Sequence, residues 1–210
     1  MSMSVAARRF TFTTHVTTSV GWVGAVAVFV ALAAIGLTSG DQPVVRGAYL
    51  VMAPAAWLVL VPLAHASLLS GLVLSLGTPW GLIRHYWVAL KLVITAVSTA
   101  MLLVYMETFR RMADIAADPV VELGLVRNPS PLVHAVLALV LLVAATVLAI
   151  YKPFGMTRYG ARALAHKRIG PTPLDRPGGP AVALWVSVAT VAALLLVLLL
   201  HHLSRPQFHH

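Results

Sequence analysis

The sequence contains no cysteine. That excludes a disulfide framework, thiolate metal sites, iron–sulfur clusters and covalent c-type haem attachment, so any metal or haem must be held by His, Met, Tyr or carboxylates. Charge is scarce too: charged residues make up 10% of the 210, and only six of them are acidic. Against 60% hydrophobic residues and a positive mean hydropathy, so few charges exclude an ordinary soluble domain and imply an integral membrane protein. There is no internal repeat and no sign of inverted halves, which weighs against a secondary transporter. No room is left for a second folded domain beside the apolar segments.

Long apolar runs are plentiful. A helix of about 20 residues at roughly 1.5 Å each crosses a hydrocarbon core of about 30 Å. Five segments reach that length, and the spans predicted are residues 10–37, 48–72, 86–106, 131–151 and 181–202. The expected fold is therefore all-α, a single five-helix transmembrane bundle over residues 1–210. The first segment follows Arg8 and Arg9 but is too long for a signal-peptide core, so it is read as a span. Pro54 and Pro62 are expected to bend the second helix. MADIAA is expected to prolong the third before Pro119 breaks it. PTPLDRPGGP reads as a connector ahead of the fifth.

The net charge of +9 sits beside these spans, which points to anionic lipid headgroups and membrane topology instead of nucleic acid. With the N-terminus inside and the C-terminus outside, nine Lys and Arg fall in inner segments and five in outer ones. The positive-inside rule selects that orientation. Expected partners are the bilayer, a redox partner or a quinone, and further copies of the chain.

Histidine is the informative residue type, with nine in the chain. Imidazole binds haem iron, copper and zinc. His15 and His65 each lie about six residues in from the same side, and Lys91 lies seven beyond Arg84, so the three are expected near one level. Lys91, Thr95, Ser98 and Tyr105 form a polar stripe on one helix face, which a lipid-facing surface has no use for. His15, Thr18, Ser19 and Trp22 share a face of the first helix, where an indole two turns from an imidazole suits a flat cofactor. Gly21 and Ala25 form a small-xxx-small pair that admits a neighbouring helix. His134 and His201 are the candidate outer pair. His85, His166 and the histidines of the C-terminal tail read as interfacial or solvated, and Trp80, Trp87 and Trp185 as interfacial anchors.

The segments HVTTSVGWVG, GLVLSLGTPWGLIRHYWVALKL, PSPLVHAVLALVLLVAATVLAIYKP and GMTRYG resemble a family of small multi-span membrane proteins of actinobacterial type, for which no activity is established. A looser likeness joins the chain to the membrane-bound haem-binding protoporphyrinogen oxidases and the copper-resistance D family. It rests on His-x6-Trp-x-Gly in the first helix, here His15, Trp22 and Gly24, and a Lys-Leu early in the third, here Lys91 and Leu92. That resemblance implies a haem-associated role for His15 and a functional one for Lys91. The chain departs from the pattern in its fifth helix, its long acidic outer loop and the lack of a second histidine just before Lys-Leu.

The leading expectation is a haem b-binding membrane protein with a redox, electron-transfer or haem-handling role, with His15, His65, Lys91, Trp22, His134 and His201 at its cofactor sites. One alternative is binding or transport of copper or another divalent metal through His15, His65, His134 and His201. Another is a noncatalytic accessory or assembly subunit.

Overall fold

A computed structural model describes residues 3–78, 81–152 and 155–165. Among these it is all-helical: α1 spans Val5–Thr38, α2 Gln42–Ala55, α3 Val61–Gly77, α4 Tyr86–Ala117, α5 Ser130–Tyr151 and α6 Arg158–Ala165. A π-helical turn, Ala56–Leu60, joins α2 to α3, so Gln42–Gly77 forms one long interrupted rod. Four of the described helical stretches are long and apolar enough to cross a membrane. The fifth expected span, residues 181–202, lies outside the described residues.

The observed boundaries correct the expected ones in a consistent direction: the helices run further than their apolar cores. Helix α1 starts at Val5 because the Ser4 hydroxyl accepts a hydrogen bond from the Ala7 amide at 3.2 Å. This caps an orphan donor and carries the helix through Arg8 and Arg9. The second span covers 42–77 where 48–72 was expected, and α4 runs on to Ala117, past the 106 predicted by apolarity and through the MADIAA extension. Pro43 and Pro131 sit in first turns, where their missing N–H costs nothing, whereas Pro62 lies inside the rod just after the π turn. Pro54 is internal to α2, and the wider π turn follows it, with the Val61 amide bonded to the Ala56 carbonyl five residues back.

Helix α1 packs against α2, α3 and α5, while α4 closes the bundle against α2, α3 and α5. The main core gathers Trp22, Phe29, Tyr49, Met52, Tyr105 and Phe109 with smaller residues around them. Close approach needs small residues at two points. A Cβ on Gly36 would lie 2.8 Å from Tyr49 Cζ, and one on Gly71 would lie 2.9 Å from His15 Cε1. Large apolar side chains such as Phe10, Val28, Leu58, Leu69 and Val140 remain exposed along the outside, as a lipid-facing surface requires.

The two ends of the bundle are fastened differently. At the end holding Thr38 and Gln42, the Arg46 guanidinium donates to the carbonyls of Ala116, Asp118, Pro119 and Val121 at 2.6–3.4 Å. Ala116 is in the last turn of α4 and the others follow it, so the guanidinium ties the end of that helix to the chain leaving it. At the opposite end the chain leaving α5 returns to the α3–α4 loop. There the Thr157 amide donates to the Arg84 carbonyl at 2.8 Å and its hydroxyl to Ile83 at 2.7 Å. A side chain on Gly160 would run into the Arg84 backbone, so the contact is sized for glycine.

Candidate functional site

His15 sits on the inward face of α1, 8% exposed, opposite the one stretch of α3 that is small and polar. Its Nδ1 lies 3.0 Å from the Ser67 carbonyl and 3.1 Å from Ser70 Oγ. A carbonyl only accepts, so Nδ1 carries the proton, and Nε2 presents its lone pair on the other side of the ring. Ser70 donates to Ala66 O at 2.5 Å, which leaves its oxygen free to accept from the same Nδ1–H. Ser19 and Ser67 hydroxyls pair at 2.7 Å one turn further on, tying α1 to α3 above the imidazole.

Lys91 completes the arrangement from α4. Its Nζ lies 2.9 Å from His15 Nε2, so the ammonium donates into the lone pair that the tautomer leaves open. The pair borders a cavity of about 470 Å³ at the end of the bundle that carries the N-terminus. Phe12, Leu74, Val88 and Leu92 give it apolar walls, and Trp87 stands at its edge. Its charged lining is Arg8, Arg9, Lys91 and Lys152, with no acidic residue among the described lining residues. Lys152 reaches it from a left-handed backbone, φ 44°, at the end of α5. That is the left-handed conformation in which many helices close, with the Lys152 amide bonded to the Leu148 carbonyl. A deep imidazole and ammonium, apolar walls and a cationic rim suit an amphipathic ligand with an acidic edge.

The other expected site residues fall elsewhere. His65 is within two residues of Ser67, so its level matches that of His15 to about 3 Å. Its face does not match: Nδ1 bonds Val61 O of its own helix at 2.8 Å, and the ring is not part of the cavity lining. Trp22 is buried, but it lines a second, smaller cavity of about 80 Å³ together with Tyr105 and His134. His134 donates from Nδ1 to Ser130 O at 2.8 Å and lies against Tyr105 with ring centroids 4.6 Å apart. His201 lies outside the described residues, as do His166, Trp80 and Trp185. Among the described residues no three His, Asp or Glu side chains converge, so the ligand set expected for copper is not assembled there.

Sequence reasoning missed the half of the site that α3 supplies. Ser67, Ser70 and Gly71 recur at i, i+3 and i+4 within an otherwise apolar helix, a spacing that marks one face. That signal is present in the sequence, on the side of the helix opposite His65. Compared with known protein families, curated proteins and solved structures, the chain matches none.

Proposed function

We propose that this chain is a polytopic protein of the bacterial inner membrane, N-terminus inside, that holds haem b in the His15 cavity for a redox or haem-handling role. One observation supports the reading: His15 is fixed through Nδ1 by the Ser67 carbonyl, and its Nε2 meets Lys91 beside a cation-rimmed cavity. An imidazole oriented in this way through its second nitrogen is what iron ligation calls for. Haem would supply one-electron chemistry at its iron; the chain supplies position and charge.

Each residue then has a defined task. Ser67 and Ser70 hold the imidazole in one tautomer and one orientation. Arg8, Arg9 and Lys152 offer cations to the acidic edge of the ligand. Lys91 occupies the Nε2 lone pair, so it is a placeholder that must move aside for any metal at that nitrogen and is then available to pair with a carboxylate. A quinone or a second redox protein is the partner class this reading entails.

The test is an absorption spectrum of protein purified from a haem-sufficient host. A Soret band is expected; His15→Ala should remove or shift it, and His65→Ala should leave it in place. A colourless, folded preparation that takes up no added haem ends the proposal. A band insensitive to His15→Ala ends this assignment of the ligand.

A further inference from the structure

The ammonium of Lys91 is only partly satisfied by the protein. It carries three N–H donors, and among the described residues one acceptor meets them, His15 Nε2 at 2.9 Å. The side chain is half-buried and lines the larger cavity, so the remaining donors border that space. No described carboxylate answers its charge there. The described acids are Asp41, Glu107, Asp114, Asp118 and Glu122, all toward the far end of the bundle. Glu107, the nearest of them along α4, is sixteen residues or about 24 Å from Lys91. It is already paired with Arg110 and Arg111.

Two features separate Lys91 from the other cations of the lining. Arg8 and Arg9 are exposed, where water and salt screen a charge and an ion pair is worth little. Lys91 shares its walls with Phe12, Val88 and Leu92, and a charge-assisted hydrogen bond strengthens as water is excluded. The second feature is that its acceptor is the nitrogen iron ligation needs. Nε2 has a single lone pair, which the ammonium or a metal can hold but not both. A ligand that takes this nitrogen without bringing an acceptor strands the ammonium. One that brings a carboxylate satisfies it.

We infer that Lys91 selects the ligand of this cavity, admitting amphipathic carboxylic acids and turning away neutral molecules of the same shape. The inference rests on the porphyrin proposed above and adds the requirement that its acid groups be free. A docked carboxylate draws the ammonium off His15 Nε2, so recognition of the acid comes before any bond to iron. Stranding a charged donor costs about tenfold or more in affinity.

Metal-free protoporphyrin and its dimethyl ester share a flat apolar body and differ in their free acids, which makes them the probes. Both are titrated by fluorescence against the full chain in nanodiscs of zwitterionic lipid, with empty nanodiscs as the blank. The parent chain should bind the acid about tenfold or more tightly than the ester. Lys91→Met should bring the two affinities within about twofold of each other, and Lys91→Arg, which keeps a charged donor, should retain the preference. Lys91→Gln serves if the methionine variant does not fold. Equal binding of acid and ester by the parent chain, or a preference untouched by loss of the lysine, overturns the inference and leaves Lys91 a hydrated ammonium only. Failure of both probes to bind overturns it as well. The probes hold no iron, so the two readings fail separately. A preference for the acid without a His15-dependent Soret band sinks the haem reading alone, and the band without the preference sinks this inference alone.

Discussion

Removing the Lys91 ammonium and removing the His15 imidazole leave different groups behind. In Lys91→Met the imidazole keeps its bonds to Ser67 and Ser70 and loses only a donor at Nε2. A cation is also taken out of a partly buried setting, which offsets the loss. In His15→Leu the ammonium stays in the cavity wall without its acceptor, and Ser70 loses its donor. A partner removed from a buried polar group costs about 1–3 kcal/mol. The histidine variant should therefore unfold several degrees below the lysine variant in detergent, and Lys91→Met should lie close to the parent. Equal Tm losses in thermal denaturation would contradict the tautomer and the pairing derived from it. Little of this was legible beforehand: the spacing of His15 and Lys91 from nearby arginines implied a common level, but a shared level says nothing about which ring nitrogen points where.

At the scale of single elements, two contacts make sharp predictions. Gly71 leaves just enough room for the imidazole, since a Cβ there would be 2.9 Å from His15 Cε1. Gly71→Ala should push the ring off its Ser67 bond and weaken the proposed haem binding about tenfold, seen as a reduced or shifted Soret absorbance at fixed haem. Arg46 fastens the end of α4 and the chain after it through four carbonyls, and charge-assisted bonds of this kind are individually stronger than neutral ones. Arg46→Ala should lower stability by about 2 kcal/mol and speed amide exchange over residues 112–118. Periodicity and apolarity gave the helices but not their ends. Termini are set by local devices, such as the Ser4 cap and the Arg46 cradle, that lie outside the apolar run. The polar stripe of α4 was legible because lysine, threonine and serine are conspicuous in a span. The α3 face was not, because serine and glycine among leucines carry a weak signal until a partner helix is in place.

For the whole molecule, the absence of cysteine offers a clean background for mapping sidedness. Single cysteines at Ser4, Asp118 and Thr157 should divide two ways in intact cells. An impermeant maleimide should label Asp118→Cys and spare the other two until the membrane is opened. Labelling of Ser4→Cys from outside would invert the proposed orientation. Four spans were read correctly as apolar helices, since composition alone demands them. The assembly was harder to foresee: His65 and His15 share a depth but not a side, and only the azimuth of α3 about its own axis decides that. That azimuth is set by the Ala56–Leu60 turn, which accommodates one residue more than an α-helical turn would. Such a surplus makes the rod unusually forgiving at one place. Deleting Leu58 should be absorbed as the turn tightens to ordinary helix, with Ser67 still opposite His15 and the proposed Soret band retained. The same loss at Ala66 would swing everything after it by about 100° and dismantle the pocket.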